Sequence, residues 1–350
     1  MDLSIAAILA QDGITSGAIY ALLALALVLV FSVTRVIFIP QGEFVAFGAL
    51  TMASLQSNQM PRTAVLLLAL GLLAFAADAV ACLRFADGRG LALRWLAGAF
   101  VRLVLVPAAL LLLLTLVPGT LLPMPAQMLV TLAIVAPVGP LVYRLAFQPL
   151  AEASVLVLLI VSVGVHFALL GLGLVMFGAE GSRTLAFTEA QFTLGSLTIA
   201  GQSIAIVATA VLLIVALYLY FDRTLSGKAL RATAVNRLGA QLVGIGTVQA
   251  GRLAFTLAAA IGAVCGVLIA PLTTIYYDSG FLIGLKGFVG AIIGGLGSYP
   301  VAAVGAITVG LLEAYASFFA SAFKEVIVFT LIIPILLWRS LGTTHVEDDE

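Results

Sequence analysis

Charge is what this sequence has least of. Only 9% of its 350 residues are Asp, Glu, Lys or Arg, against about 25% in an average soluble domain. The 16 basic and 16 acidic residues cancel, so no net field draws nucleic acid or an acidic partner. Cys82 and Cys265 stand far apart in apolar stretches, which argues against a disulfide framework or a thiolate metal site. There are two histidines, and the one cluster of carboxylates, Glu347-Asp348-Asp349-Glu350, reads as a short solvated tail, so no residue presents itself as catalytic or metal-binding. A nucleotide cradle is missing as well. The nearest fragment to G-x-x-x-x-G-K-[ST], Ser226-Gly227-Lys228-Ala229, lacks both the first glycine and the closing hydroxyl residue. Energy for any work must arrive from elsewhere. Met1 to Thr34 contains no Lys or Arg, so the charged start of a cleavable signal is not seen.

Apolar length is what the sequence has most of. Hydrophobic residues make up 63% of the chain, and many runs approach the 20 or so residues that cross a bilayer as a helix. The expected fold is all-α, a polytopic transmembrane bundle forming a single domain over 1–350. Eleven candidate segments run over 14–34, 43–57, 63–83, 98–117, 126–143, 154–177, 203–221, 253–272, 283–297, 301–319 and 325–338. Of these, 43–57 and 283–297 are short and glycine-bearing, which suits tilted or re-entrant pieces packed inside protein and leaves 9–11 segments in all.

Basic residues set an orientation. With the N-terminus outside and the C-terminus inside, Arg35, Arg84, Arg89, Arg94, Arg102, Arg144, Arg223, Lys228, Arg231, Arg237, Arg252 and Arg339 fall on the cytoplasmic side. Only Arg62, Arg183 and Lys324 fall outside, the bias of the positive-inside rule. Residues 178–202 then form an outer loop and 222–252 a cytoplasmic one.

Within the cytoplasmic loop, Leu230, Ala234, Leu238, Leu242 and Ile245 recur at helical spacing and predict one amphipathic helix bounded by glycines. A basic loop held by anionic lipid and a docking helix for a partner both fit that pattern. The residues also carry a resemblance. Gly227-Lys228-Ala229-Leu230-Arg231-Ala232, followed by Gly239-Ala240-Gln241-Leu242-Val243-Gly244-Ile245, resembles the coupling loop of the branched-chain amino-acid ABC importer permeases, G-x-x-x-R-A-x-A leading to A-x-x-x-G-I. Gln41-Gly42-Glu43-Phe44 after Arg35-Val36-Ile37 is similar to that family's segment after its first helix. So is Gly284-Leu285-Lys286-Gly287-Phe288 with Gly294-Gly295-Leu296-Gly297-Ser298 to a segment near its end. Phe38 and Pro40 depart from the pattern, standing where an Asn and a small residue are usual. Residues 61–125 read as an insertion of about two helices.

The resemblance implies a transport subunit rather than an enzyme, in a bacterial inner membrane, moving branched-chain or related amino acids. It implies no cofactor in this chain, ATP-Mg being bound by two cytoplasmic ATP-binding subunits. The further partners it implies are membrane lipid, a second homologous permease or a second copy, and an extracytoplasmic substrate-binding protein. Gly227, Arg231, Ala232, Gly239, Ala240, Gly244 and Ile245 would form the ATPase-coupling surface. Gly17, Tyr20, Gly42, Glu43, Lys286, Gly294, Gly295 and Gly297 are candidates for the translocation path or for close helix packing.

Buried ionisable groups are expensive in a membrane. Glu43 is expected near the cytoplasmic boundary, as an acid at a helix start. Lys286 and Glu313 are expected to pair or to snorkel, His166 to be a buried, hydrogen-bonded histidine, and Asp78 to reach the surface. An ion-coupled secondary transporter is the alternative; Glu313 and the two short segments would have to supply its ion site.

Overall fold

The computed structural model describes residues 3–85, 89–194 and 197–342. The acidic run Glu347 to Glu350 and the side chains of Arg84, Arg89 and Arg339 lie outside what is described. In chain order the first helices are α1 (Leu3–Thr34), α2 (Gln41–Gln56), α3 (Arg62–Phe85), α4 (Arg89–Phe100), α5 (Val106–Leu116), α6 (Met124–Val135), α7 (Val138–Val142) and α8 (Val155–Phe177). A hairpin follows, β1 (Gln191–Leu194) antiparallel to β2 (Leu197–Ala200). Then come α9 (Gly201–Arg223), α10 (Leu225–Val235), α11 (Arg237–Leu242), α12 (Thr247–Ile269), α13 (Ser279–Ile293), α14 (Tyr299–Phe319), α15 (Lys324–Thr330) and α16 (Ile332–Gly342).

Among the described residues, eight helical runs are long and apolar enough to cross a bilayer. The fold is the expected all-α polytopic bundle. Two differences stand out. The stretch 178–202 contains the β1–β2 hairpin, and the last expected segment is divided at Leu331 into α15 and α16.

Proline shapes two of the spans. Val106 N–H reaches back five residues to the Val101 carbonyl just before Pro107, and Gln148 N–H does the same to Tyr143 just before Pro149. A proline has no N–H to donate and its ring crowds the carbonyl four residues earlier, so the preceding turn widens. After Pro107 the span continues as α5 to Leu116, whereas after Pro149 the helical run ends at Leu150.

Helix α1 is the centre of the bundle, packed against α9, α12, α13 and α14. Ala18 to Val30 are buried without interruption, as suits a helix that is apolar all round. By contrast, the α3, α4–α5, α8 and α9 helices leave Leu72, Leu73, Leu112, Leu113, Leu116, Ile160, Val175 and Leu212 exposed. That much apolar surface belongs against lipid or a neighbouring subunit.

The two ends of the bundle differ in chemistry. At one end Arg237 Nη1 donates to Ala151 O at 2.8 Å and Arg252 Nη2 to Gln148 Oε1 at 2.9 Å. We term this the basic end. At the other, the hairpin end, the Ser182–Ile275 bridge and a bond from Leu185 N to Gln56 Oε1 (2.9 Å) gather the ends of α2, α8 and α12.

Helices α2 and α13 do not cross alone. The 16 residues of α2 cover about 24 Å at 1.5 Å each, short of a hydrocarbon core of roughly 30 Å. Its first residue, Gln41, donates from Nε2 to Ala258 O at 2.9 Å, and Ala258 is the central residue of α12. Glu43 lies against His166, the central residue of α8. The start of α2 is therefore at mid-depth. Residues 35–40 climb to it from the basic end as non-helical chain, with Ile39 N–H satisfied by Ser162 Oγ at 3.0 Å. Irregular backbone inside a membrane needs this kind of protein partner. Phe38 anchors the climb, its ring 4.7 Å from Phe255 and 5.9 Å from both Phe44 and Phe147. Helix α13 is the inverse. Chain descends from Ile275 at the hairpin end, and α13 then runs from its contact with Gly42 toward Tyr299, which stacks on Phe221 at the basic end.

Candidate functional site

The loop expected to hold one amphipathic helix holds two. Asn236 takes an extended conformation (φ −149°, ψ 103°), and its Oδ1 accepts the Gly239 N–H at 2.8 Å, which caps α11. An Asx side chain competes with the helical ladder in just this way. Gly244, at φ +86°, ends the piece, with Ile245 N–H returning to Ala240 O at 2.9 Å. The break undoes the predicted apolar face. Leu230 is buried with Leu29, Val33 and Ala254, whereas Leu238 and Leu242 are exposed. Helix periodicity does not carry across a capped break.

Leu225, Val235, Leu238, Leu242 and Val243 are each at least 68% exposed. Of the predicted coupling residues, Gly227 lies against the backbone of Tyr220 and Phe221, and Gly239 beside the Asn236 amide. Arg231 is exposed, Ala240 is buried, and Ala232 and Ile245 are half-buried. The loop is tied to its neighbours. Thr224 Oγ1 accepts Gly227 N–H at 3.0 Å at the α9–α10 joint, and Gln241 Nε2 donates to Thr247 Oγ1 at 3.0 Å at the start of α12.

At mid-depth the starts of α2 and α13 meet through glycine. A Cβ on Gly42 would land on the Gly280 carbonyl, and one on Gly284 would sit 2.7 Å from Gly42 Cα. Around this contact Glu43 is fully buried, with Oε1 3.0 Å from His166 Nδ1. Phe281 covers the imidazole, ring centroids 4.7 Å apart. Gln41 Oε1, both Glu43 oxygens and His166 Nδ1 make no hydrogen bond among the described residues, so His166 is buried as expected but its Nδ1 is not hydrogen-bonded. Glu43 is thus deep in the bundle rather than at the boundary, because the chain climbs inward before α2 begins. The contact with His166 joins residues 123 positions apart and has no sequence signal.

A second polar group ties α1, α13, α14 and α15 together. Lys286 Nζ donates to Glu313 Oε1 at 2.5 Å and to Glu325 Oε1 at 3.2 Å, and Tyr20 Oη donates to Glu313 Oε2 at 2.7 Å. The expected Lys286–Glu313 pairing is present, and Glu325 is the member that sequence reasoning missed. Asp78 differs from expectation. It is buried and pairs with Arg144, since the wide turn at Tyr143–Phe147 carries Arg144 into reach of α3.

The remaining candidates divide between packing and turns. Gly17 lies against the Ile307 backbone, and Gly294 against Ala302. Gly295, at φ +65°, forms the turn after α13, and nothing crowds Gly297 but the Gly295 carbonyl at 3.8 Å. Between α1, α9, α12 and α14 lies a cleft of about 410 Å³ lined by Leu25, Leu217, Tyr218, Phe221, Tyr299 and Arg231. It is apolar apart from the guanidinium and the phenols, and an aliphatic group would suit it.

A broken span meeting another at mid-depth, beside a loop tied to two spans, is the plan of a transporter. A family model described as "Branched-chain amino acid transport system / permease component" matches residues 91–336. The chain belongs to this family. The match takes in the loop 222–252 and the Gly284–Ser298 stretch. Among similar proteins is the high-affinity branched-chain amino acid transport system permease protein BraD of Pseudomonas aeruginosa, 30% identical over 211 residues, which covers 58% of this chain and 69% of that protein. LivH of Escherichia coli K12, with the same description, is 32% identical over 57% of this chain and 67% of its own length. A probable branched-chain amino acid transport permease protein LivH of Methanocaldococcus jannaschii is 30% identical over 64% and 75%. No solved structure matches the chain significantly. As a member of this family the chain is a multi-pass membrane permease component that works in transport, not as an enzyme. The family favours this reading over the ion-coupled transporter.

Proposed function

We propose that this chain is the membrane-spanning subunit of an ATP-binding-cassette importer for branched-chain or related amino acids. It lies in the bacterial inner membrane with its N-terminus outside and the loop 222–252 in the cytoplasm. The stretch 61–125 is an addition at the lipid-facing rim. One observation carries the coupling assignment: α10, α11 and the residue after them present Leu225, Val235, Leu238, Leu242 and Val243 uncovered at the basic end. Such a surface needs a partner, and two cytoplasmic subunits carrying ATP-Mg supply one. A second permease, homologous or identical, completes the membrane part, and an extracytoplasmic binding protein delivers the cargo.

The bonding suggests how a push would travel. Force on α11 passes through Gln241 and Thr247 into α12, whose centre holds Gln41 by the Ala258 carbonyl. Displacement of α12 therefore acts on the mid-depth junction, where Gly42 closes against Gly280 and Gly284. Closed and open junctions are the two states, and ATPase closure biases one over the other.

The test is uptake of radiolabelled leucine into proteoliposomes holding the permease, its ATPases and its binding protein. Leu238→Asp with Leu242→Asp changes two exposed side chains, so insertion and thermal stability should persist while ATP-dependent uptake falls to background. Normal uptake by that variant overturns the docking assignment. Uptake by the wild-type chain with no nucleotide-hydrolysing subunit present overturns the importer reading itself.

A further inference from the structure

At the basic end, between the α3–α5 helices and the rest of the bundle, a cleft of about 440 Å³ gathers four arginines, Arg94, Arg102, Arg144 and Arg252, with one acid, Asp78, and Trp95. Two of the guanidinium groups have partners within the chain: Arg144 pairs with Asp78, and Arg252 donates to Gln148 Oε1 at 2.9 Å and 3.3 Å. Among the described residues Arg94 and Arg102 make no hydrogen bond or ion pair. Four cations against one anion leave a formal charge of +3 in a single cleft. Like charges held that close repel one another, most strongly away from bulk water. An anion among them would relieve the repulsion, and guanidinium forks match phosphate oxygens in pairs.

The position of the cleft says where that anion comes from. Arg94 opens the apolar run Arg94–Leu116, and Arg252 lies in the second turn of α12. Both are therefore at the boundary of apolar spans, the depth of lipid headgroups. Trp95 beside them is 56% exposed, and tryptophan favours that interface. On its outer side the same helical run shows Trp95, Phe100 and Val101 exposed, so a ligand enters sideways from the bilayer.

We propose that this cleft is a headgroup site for an anionic phospholipid, with Arg94 and Arg102 as the principal phosphate ligands and Arg144 and Arg252 as the positively charged back wall. The bound lipid would bridge α4–α5 to α12, sealing the α3–α5 helices to the core. Basic pockets between spans are known to hold anionic headgroups in this manner.

Native mass spectrometry of the detergent-purified full chain tests it, with titration by phosphatidylglycerol, by phosphatidylcholine and by inorganic phosphate. The wild-type chain should retain one phosphatidylglycerol selectively. Arg94→Ala with Arg102→Ala should weaken that retention about 30-fold, on roughly 1 kcal/mol for each basic group. Arg223→Ala with Lys228→Ala removes the same charge outside the cleft and should leave retention unchanged. Equal retention of both lipids, or equal loss in the two double variants, overturns the site. Inorganic phosphate displacing the lipid at comparable concentration would show a soluble anion site and overturn the lipid assignment.

Discussion

Replacing Lys286 by Met removes the ammonium at the centre of the Tyr20–Glu313–Glu325 group and keeps an unbranched stem of similar length. The Lys286 side chain is 7% exposed and that of Glu313 15%, whereas Glu325 is 35% exposed. Breaking a buried pair by deleting one partner costs about 3–5 kcal/mol, because the other charge is left without compensation. The Glu325 contact adds little, since pairs open to solvent contribute roughly 0–1 kcal/mol. Tyr20 already donates to Glu313, so it offers no new relief. The expected loss is about 3–4 kcal/mol, or two to three decades in the folding equilibrium. Lys286→Met with Glu313→Gln replaces the pair by neutral groups, keeps a hydrogen-bond acceptor for Tyr20, and should recover most of that loss. Reversible unfolding in mixed micelles with increasing sodium dodecyl sulfate, followed by tryptophan fluorescence, gives both numbers. The reasoning fails if Lys286→Met lies within about 1 kcal/mol of wild type, or if the double variant equals the sum of the singles, which would mean no coupling.

Further outcomes follow from the same contacts. Gly42→Val drives a branched side chain into the Gly280 backbone; overpacking of this kind costs about 1–3 kcal/mol, and uptake should fail even in protein that still inserts, as read by comparing membrane yield with transport. Asp78→Asn leaves the mostly buried Arg144 without its counter-ion and should destabilise the chain by about 3 kcal/mol, with Arg144→Gln added to Asp78→Asn restoring much of it in the same micelle titration. Gly244→Ala puts a Cβ at φ +86°, a strain of roughly 1–2 kcal/mol. It should speed hydrogen exchange over 240–245 while leaving the spans protected.

The spans were readable because lipid imposes one strong demand, and runs such as Ile14 to Val33 meet it by composition alone. The loop 222–252 is marked by its basic residues, but periodicity alone predicts one helix where there are two. The spacing of Leu230, Leu238 and Leu242 looks continuous until Asn236 is recognised as a cap, and Asn before Arg-Leu-Gly is the signal that was available. For Glu43 and Asp78 no such signal exists. Their partners, His166 and Arg144, lie 123 and 66 positions away, and in an apolar chain the neighbouring sequence does not say which face of a span looks inward.

Composition and charge placement alone thus determined that the chain is a helical membrane protein with one basic end, since burying that much apolar surface is a local, additive requirement. The tertiary structure decided where two half-length helices begin at mid-depth, which carboxylate holds Lys286, and which arginines share a cleft. Those depend on distances between remote segments. Once lipid and protein neighbours are equally apolar, only packing can set them.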